Sequence, residues 1–373
     1  NVGCAVRGVE GGGYVVAGGT DHFCEWHWNL QAPIATTNIH LFKTDATGSL
    51  LWERVHSLAS SRSIARWMET TADGGFIIAG TANKDRVWPP DSNDVVVIQT
   101  NALGMITWSS CFDTGKDDLG FCVRQTTDGG YIVSGFQDPL PITLAGITCA
   151  LLIKLDALGG VQWSRKFPIA CRDLNTHEPF PCVVRQLADD GYAITGSTTA
   201  SHPNDLFVLR TDANGLLLWA RSYEHDASAF RTSTGQDLFE AANGDLIMVG
   251  SMDKTQPAER NYPYILRTSG NGTLLDATFY ETVPLLSFQS GFSSVAPTAS
   301  GGYFFTGMGG YSGFGDQAQL LKTDADLNMI WSRVYTMDGT ATMGARSGRP
   351  TSDGGYIFTG KSQFSGTVLM KTD

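Results

Sequence analysis

The chain has 373 residues, a formal net charge of −11 and 42% hydrophobic residues, which is enough apolar material for a large core. Only 17% of the residues are charged, which argues against a disordered or coiled-coil protein. The acidic excess without a basic patch excludes a typical nucleic-acid binder. No apolar run approaches the roughly 20 residues of a membrane-spanning helix. The chain begins at Asn1 without an apolar leader, so we expect that any signal peptide has been removed or left out.

An internal repeat dominates the chain. A turn-and-strand unit with the approximate pattern Asp-Gly-Gly-Tyr recurs seven times, and in every copy a glycine follows the aromatic or apolar residue by four positions. Those residues are Tyr14, Phe76, Tyr131, Tyr192, Leu246, Tyr303 and Tyr356. A second pattern, Asp-x-x-Gly-x-x-x-Trp, follows the first six copies and gives Trp52, Trp108, Trp163, Trp219 and Trp331, with Asp276 in the fifth copy. A repeat of this kind decides the architecture of the whole chain.

Each repeat predicts four short strands, because Asp-Gly-Gly and Asp-x-x-Gly form tight hairpin turns. Seven such units predict an all-β, seven-bladed β-propeller of four-stranded antiparallel blades in a single domain, 1–373. The expected blades are 1–57, 62–113, 120–168, 181–224, 236–281, 291–336 and 346–373. We expect the repeated tryptophans to fill gaps between blades and the repeated aspartates to accept backbone hydrogen bonds in their turns.

The last blade lacks its fourth strand within this chain. The sequence stops at Lys371-Thr372-Asp373, in the same phase as Lys43-Thr44-Asp45. Blade 7 would therefore end on an unpaired strand, an edge that invites pairing. Three hypotheses remain open: the natural chain continues past 373, a partner donates a strand, or a three-stranded blade is tolerated.

The two ends of the blades differ. The first-to-second and third-to-fourth connections are tight turns, whereas the second-to-third and fourth-to-first connections are long and variable. Variable loops on a rigid scaffold are the usual place for recognition, so we expect a ligand or partner at that end. Aromatic side chains suited to stacking on sugars or protein hot spots occur there, and the binding candidates are Trp26, Trp28, Trp88, Tyr262, Tyr311 and Phe314.

The seven cysteines predict disulfides. Cys111/Cys122 and Cys171/Cys182 are each eleven residues apart and bracket equivalent connections, so each pair is expected to join consecutive blades. Cys4–Cys24 is a third plausible pair, which leaves Cys149 over. Disulfides at equivalent positions predict an oxidising location, extracellular or at a cell surface, with the periplasm as an alternative.

Other candidate sites are weaker. His22 and His27 could hold a transition metal with one acid, and Asp91, Asn93 and Asp94 could touch calcium, but neither spacing is a defined metal motif; no cofactor is predicted. Arginines at 7, 124, 185 and 349 share one position in their first strands, where they would hold an anion or pair with carboxylates. No nucleophile motif is present, so no enzymatic activity is expected, although a triad can converge in space alone.

The repeat resembles that of secreted or surface-anchored propeller-repeat proteins of bacteria and archaea. The segments that carry the resemblance best are 128–135 with 154–163, and 211–219. The resemblance covers nearly the whole chain and implies the propeller fold and an extracytoplasmic location. A distant similarity to the tryptophan-docking repeat of quinoprotein dehydrogenases differs in glycine spacing, blade number and the lack of adjacent cysteines, so no residue role is transferred from it.

Three functional hypotheses follow. The first is a non-catalytic binding or assembly module that joins a protein partner, or copies of itself, at a cell surface through the long-loop end and the edge of the last blade. The second is a secreted propeller that binds or cleaves carbohydrate. The third is a metal- or quinone-dependent oxidoreductase.

Overall fold

The computed structural model describes residues 2–9, 11–20, 38–58, 62–83, 93–138, 149–169, 182–198, 205–223, 230–254, 260–280, 290–311, 315–336, 343–362 and 366–373. These residues form 27 strands and contain no helix. The strands make seven antiparallel sheets, six with four strands and one with three. The prediction of a seven-bladed β-propeller whose last blade has three strands in this chain is confirmed.

Blades 1 to 3 contain the first twelve strands in chain order. Blade 1 consists of β1 (Val2–Gly8), β2 (Tyr14–Gly19), β3 (Ile39–Thr44) and β4 (Leu50–His56). Blade 2 consists of β5 (Arg62–Thr70), β6 (Phe76–Asn83), β7 (Asn93–Thr100) and β8 (Ile106–Phe112). Blade 3 consists of β9 (Asp117–Gln125), β10 (Tyr131–Asp138), β11 (Cys149–Leu155) and β12 (Val161–Phe167).

Blades 4 to 7 follow the same order. Blade 4 consists of β13 (Val183–Gln186), β14 (Tyr192–Thr198), β15 (Asp205–Thr211) and β16 (Leu217–Tyr223). Blade 5 consists of β17 (Phe230–Glu240), β18 (Leu246–Lys254), β19 (Arg260–Thr268) and β20 (Leu274–Phe279). Blade 6 consists of β21 (Ser290–Pro297), β22 (Tyr303–Tyr311), β23 (Gly315–Thr323) and β24 (Met329–Tyr335). Blade 7 consists of β25 (Met343–Pro350), β26 (Tyr356–Ser362) and β27 (Gly366–Thr372).

The chain folds into two compact units. Unit 1 comprises Asn1–Gln186, Asp190–Tyr192 and Asp212–Leu216, and unit 2 comprises Leu187–Asp189, Ala193–Thr211 and Leu217–Asp373. In unit 1, Leu41 of blade 1 shares a core with Phe76 and Ile78 of blade 2. In unit 2, Leu320 of blade 6 shares a core with Phe358 of blade 7. Each of these cores thus lies between two consecutive blades.

The repeated glycine of the second strand is required by a close backbone approach. A first-strand bulge lies opposite it, for example between Ala65 and Trp67 of β5. A Cβ atom on Gly80 would lie 1.8 Å from the Ile64 carbonyl oxygen, and one on Gly135 would lie 2.0 Å from that of Leu119. No side chain fits such a gap, which explains why glycine recurs at this position.

The repeated tryptophan of the fourth strand packs on the following blade, as predicted. In unit 1 the ring of Trp108 meets Tyr131 edge-on, with centroids 5.7 Å apart. The same indole covers Gly159, where a Cβ atom would lie 2.7 Å from it. Trp52 covers Gly104 and, in unit 2, Trp219 covers Gly272 in the same way.

The fifth repeat has Asp276 instead of tryptophan, and a residue of the next blade compensates for the missing indole. The turn of blade 6 carries Leu327 where these other turns carry glycine, and Leu327 adopts a left-handed backbone with φ of 66°. Its side chain is buried in the core between blades 5 and 6, and its carbonyl accepts a hydrogen bond from Tyr280 Oη at 2.6 Å. Leucine therefore occupies space that an indole fills elsewhere.

We expect Gly159→Ala to destabilise the protein more than Gly48→Ala. Both glycines have positive φ, 83° and 90°, so both substitutions carry a backbone cost of about 1 to 2 kcal/mol. Nothing lies within 4 Å of a Cβ on Gly48, whereas a Cβ on Gly159 collides with Trp108. Overpacking should add about 1 to 3 kcal/mol. Urea unfolding of the two variants measures the difference, and equal losses would contradict the indole contact.

The repeated aspartates close their turns as predicted. The Asp156 carboxylate accepts hydrogen bonds from Leu158 N at 2.9 Å and Gly160 N at 2.8 Å. The side chain of Asn101 accepts from two backbone amides in the equivalent turn of blade 2. These residues are part of the scaffold.

A second aspartate, in the Asp-Gly-Gly turn, pairs with the basic residue of the third strand. Lys154 Nζ lies 2.7 Å from Asp128, and its side chain is 4% exposed whereas that of Asp128 is 51% exposed. Burial raises the pKa of Asp128, but the Lys154 ammonium together with Thr126 and Gly130 outweighs it and lowers that pKa to about 2. Blade 7 has the equivalent pair Asp353–Lys371.

Asp128→Asn should destabilise the protein at pH 7 by about 1 to 2 kcal/mol, because it leaves the Lys154 ammonium buried without its counter-ion while water screens part of the loss. The pKa of Asp128 is lower folded than unfolded, so its stabilisation is present above the unfolded pKa and is lost as the pH falls through about 2. The gap between wild type and variant should therefore close between pH 4 and 2 in urea unfolding. Asp353→Asn is the matched control, with a smaller effect because Lys371 is 34% exposed; a gap for Asp128→Asn that does not vary with pH would contradict the ion pair.

Candidate functional site

One fully described connection lies at the long-loop end of unit 1. It joins β8 of blade 2 to β9 of blade 3 and, with the start of β9, has the sequence Asp-Thr-Gly-Lys-Asp-Asp over residues 113–118, here called the 113–118 loop. The start of β7 and the end of β10 lie at the same end of their blades, because strands alternate in direction. Their polar residues, Asn93 and Gln137, therefore reach the loop.

Asp118 anchors the loop from within. It is fully buried, and its Oδ2 accepts hydrogen bonds from the Thr114 amide at 3.0 Å and the Thr114 hydroxyl at 2.6 Å. Its Oδ1 accepts from Gln137 Nε2 at 2.9 Å. Burial raises the pKa of this carboxyl, while the bonds from Thr114 and Gln137 and the charge of Lys166 partly oppose the increase. Asp118 thus retains its proton to higher pH than an ordinary aspartate.

Asp117 ties the loop to blade 2. Its Oδ1 accepts from the Asn93 backbone amide at 3.0 Å and from Asn93 Nδ2 at 2.6 Å. Next to Asn93, the buried Asp94 lies 3.5 Å from the Cys111 thiol, which donates to its Oδ2. A similar contact between blades occurs in unit 2. There Ser233, near the start of the first strand of blade 5, accepts a hydrogen bond through Oγ from the backbone amide of Leu206 in the third strand of blade 4, at 2.7 Å.

The solvent side of the loop presents charged and hydroxyl groups. Asp113 and Thr114 are exposed, and Lys116 and Asp117 are half-buried. Gly115 N donates to Asp113 Oδ1 at 2.7 Å, which restricts that carboxylate. Rigid carboxylate, hydroxyl and ammonium groups can hydrogen-bond the hydroxyls of a sugar.

The shared arginine position of the first strands forms an ion-pair network in unit 1. Arg7 donates to Glu69 through Nε at 2.7 Å and Nη2 at 2.8 Å, and Arg124 Nη1 donates to the same carboxylate at 2.7 Å. Trp67 Nε1 adds a bond at 3.1 Å, and the Arg124 guanidinium lies 4.8 Å from the Trp67 ring centroid. For Arg7 and Arg124, pairing with a carboxylate is confirmed.

Glu69 and Trp67 were not predicted from sequence. The signal was available, because Glu69 in blade 2 pairs with Ile77 as Arg7 pairs with Val15 and Arg124 with Ile132. Aligning the first strands would have placed the glutamate between two arginines. In unit 2, Arg349 at the same position donates instead to the Ser294 hydroxyl at 3.0 Å and the Gly348 carbonyl at 2.8 Å.

The predicted aromatic and histidine sites fall mostly outside the described residues, namely Trp26, Trp28, Trp88, Phe314, His22 and His27, together with Asp91. Tyr262 is half-buried in β19, opposite Met252 of β18. Tyr311 ends β22 in the next blade, opposite Gly315. These two tyrosines lie on different blades. Within the described ranges, no group of three histidine, cysteine or acidic residues could hold a metal ion.

Two predicted disulfides are wrong. Cys111 and Cys122 are both in the thiol form, as is Cys182, which excludes the pairs Cys111–Cys122 and Cys171–Cys182. Cys111 turns toward Asp94 of its own blade. Cys122 instead points toward β13, where its thiol lies 3.7 Å from the Val184 carbonyl oxygen. The same spacing in the two cysteine pairs therefore does not mean that the two thiols of a pair point toward each other.

Two further cysteines bear on the predicted pairing. Cys4 is disulfide-bonded, and its predicted partner Cys24 lies outside the described residues, as does Cys171. Cys149, which was left without a predicted partner, is a thiol. The extracellular location stays a prediction.

Comparisons with known proteins show similarity of fold but do not identify a family. No protein family model matches the sequence, and no curated protein matches it. The structure is similar to that of the polysaccharide lyase Uly1, with a TM-score of 0.51 and 11% identity over 99% of this chain and 89% of that chain. It is also similar to Sqt1 from Chaetomium thermophilum, with a TM-score of 0.51 and 8% identity over 100% of this chain and 97% of that chain. A weaker match is a xylan β-1,4-xylosidase from Bacillus halodurans C-125, with a TM-score of 0.39 and 11% identity over 100% of this chain and 90% of that chain.

The expectation that this protein is not an enzyme is corrected by the comparison with the lyase. That expectation rested on the lack of a catalytic sequence motif, yet an enzyme shares the fold along 99% of this chain. In a propeller, functional residues come from loops of different blades and meet only in space, so a linear motif is not required. Among the residues that the structure describes, no helix has the length and hydropathy to cross a membrane.

Proposed function

We propose that this protein acts on a polysaccharide at the long-loop end of unit 1, with the 113–118 loop in contact with the glycan. The observation that carries the proposal is a polar loop whose backbone is held by buried Asp118 and which presents exposed Asp113 with half-buried Lys116 and Asp117. The fold shared with a polysaccharide lyase supports the same class of ligand.

The chemistry of the loop suits sugar hydroxyls better than an apolar ligand. Asp113, Thr114 and Lys116 offer acceptors and donors on a backbone that the Asp118 hydrogen bonds hold in place. Preorganised polar groups lower the entropic cost of binding a flexible chain. Asp118 itself is fully buried, so its role is to fix the loop, and Asp113 and Asp117 are the carboxylates that face the ligand.

A glycan array followed by incubation with the selected polysaccharide tests the proposal. We expect selective binding to a polysaccharide and, on incubation, release of shorter chains detected by size-exclusion chromatography. Asp113→Asn and Asp117→Asn should each weaken binding about tenfold, because a hydrogen bond to a charged carboxylate is replaced by a weaker one to a neutral amide. The matched control is Asp326→Asn, an exposed aspartate in a tight turn, which should bind as wild type does.

Each outcome has a defined consequence. Binding without chain shortening would restrict the proposal to recognition. Selective binding that is unchanged in the Asp113 and Asp117 variants would move the site away from the 113–118 loop. The absence of selective binding to any glycan would overturn the proposal.

A further inference from the structure

The turn between β19 and β20 of blade 5 differs in its chemistry from the equivalent turns of blades 3 and 4. Those turns begin with Asp156 and Asp212, and each carboxylate accepts hydrogen bonds from two backbone amides of its own turn. Blade 5 has Ser269 at this position, and residues 269–273, here called the 269–273 turn, have the sequence Ser-Gly-Asn-Gly-Thr. In this turn the side chain of Asn271, two residues further along, accepts a backbone hydrogen bond.

This change creates an N-glycosylation sequon. Residues 271–273 match the pattern Asn-x-Ser/Thr with x other than proline, and no other asparagine of the 373-residue sequence does. In blade 4, Asn214 lies at the same place in its turn and is also followed by glycine, but Leu216 is found where the sequon has Thr273. The turn therefore folds without a sequon, and the scaffold does not explain why blade 5 has one.

The side-chain amide of Asn271 has its oxygen in the turn and its nitrogen outside it. Oδ1 accepts hydrogen bonds from Ser269 Oγ at 2.6 Å, from the Thr273 backbone amide at 3.1 Å and from Thr273 Oγ1 at 2.9 Å. The backbone amide can only donate, so it fixes which end of the side-chain amide faces inward. Asn271 is exposed, and its Nδ2 donates to no residue that the structure describes. A sugar on Nδ2 therefore leaves every contact of the turn in place.

The surroundings of Asn271 leave room for a bulky group. Gly272 lies against the indole of Trp219, since a Cβ atom there would be 2.8 Å from it, and this contact braces one side of the turn. On the chain beyond the turn, Leu274 and Leu275 are 50% and 52% exposed. Glycans are bulky, solubilising and located at the surface, so one on Nδ2 adds polar surface next to two exposed leucines.

Asparagine glycosylation takes place outside the cytoplasm, which is the location predicted for this protein. A sequon in a surface loop has meaning only in a secreted protein, and disulfides persist in the same oxidising environments. Cys4 is disulfide-bonded, and this bond supports such a location for the chain.

We propose that Asn271 is the acceptor of an N-linked oligosaccharide. The donor is an oligosaccharide joined through C1 of its first sugar to a lipid pyrophosphate. The bond between C1 and the pyrophosphate oxygen breaks, and its electron pair leaves with the pyrophosphate, while C1 forms a bond to Asn271 Nδ2. The nitrogen releases one of its two protons to a base of the transferase and keeps the other, and nothing is oxidised or reduced. The proposal does not depend on the 113–118 loop.

Secretion of the 373-residue chain from a eukaryotic host with an N-glycosylation pathway tests the proposal. We expect the intact mass to exceed that of the polypeptide by one oligosaccharide. Peptide-N-glycosidase should remove this increment and convert Asn271 to aspartate, which peptide mass spectrometry locates. Asn271→Gln and Thr273→Val should lose the whole increment, since the first removes the acceptor and the second removes the sequon hydroxyl at nearly constant side-chain volume. Thr273→Ser keeps the hydroxyl and should remain modified.

Asn214→Gln is the matched control, because Asn214 lies at the same place in the turn of blade 4 but has no sequon. This variant should carry the same increment as wild type. Secreted protein without an increment that the glycosidase removes would overturn the proposal, and so would an increment that persists in Asn271→Gln. The β-sheet circular dichroism of each variant separates a lost glycan from a lost fold.

Discussion

Glu69→Leu should be among the most destabilising single substitutions in unit 1, with an expected loss of about 3 to 5 kcal/mol in the free energy of unfolding. The carboxylate accepts hydrogen bonds from Arg7, Arg124 and Trp67. The side chains of Arg7 and Arg124 are only 6% and 11% exposed. Removing this carboxylate takes an ion-pair partner from two guanidinium groups that are both largely buried. Urea unfolding at pH 7 measures the loss.

Two companion variants make the result interpretable. Glu69→Gln keeps the shape and an acceptor oxygen but removes the charge, so it should fall between wild type and Glu69→Leu and remains measurable if the leucine variant fails to fold. Glu53→Gln removes a carboxylate that pairs with His40 but is 52% exposed, and exposed pairs contribute less than about 1 kcal/mol. A loss for both Glu69 variants no larger than that for Glu53→Gln would show that the network does not brace the first strands.

The sequence predicted the scaffold because each scaffold contact recurs in nearly every blade. The glycine four residues after the aromatic recurs because a first-strand carbonyl lies against it, 1.6 Å from a Cβ on Gly250 and 1.7 Å from one on Gly360. The turn aspartate recurs because it satisfies two backbone amides. The sequence also showed that Asp276 replaces the repeated tryptophan, but only the structure showed that Leu327 fills the space of the missing indole.

The candidate site could not be predicted in the same way, because its residues occur once. Asp118 is distinguished by burial and by bonds from Thr114 and Gln137, and neither property follows from the local sequence. The cysteine prediction failed for a related reason, since spacing gives the phase of Cys111 and Cys122 but not the direction in which each thiol points. Glu69 could have been predicted in part. The repeat places it at the same position as the arginines of the neighbouring blades, but its residue type differs from theirs.

Trp108→Ala should destabilise unit 1 by about 3 to 5 kcal/mol, the usual loss for a large aromatic removed from a packed contact. The indole lies over Gly159 and against Tyr131, and it belongs to the core that joins blades 2 and 3. Neighbouring repeats contribute to stability mainly through their shared interfaces. Amide hydrogen exchange should therefore show faster opening in the strands of blades 2 and 3. Leu158→Ala, beside Gly159 but 83% exposed, is the control, with a change within about 0.5 kcal/mol.

The natural pair Asp276 and Leu327 provides a rescue for this loss. Copying it as Trp108→Asp with Gly159→Leu places a leucine where the indole was, in a turn position that Leu327 already shows to accept a left-handed leucine with φ of 66°. We expect the double variant to recover about 1 kcal/mol or more relative to Trp108→Asp alone, since a buried leucine contributes about 1.5 to 3 kcal/mol and the left-handed backbone costs part of it. Each single change removes or blocks the contact, so the coupling in a double-mutant cycle isolates the exchange. Additive losses for the two changes would show that Leu327 does not substitute for the missing indole, and the interface between blades 5 and 6 would then need a different source of stability.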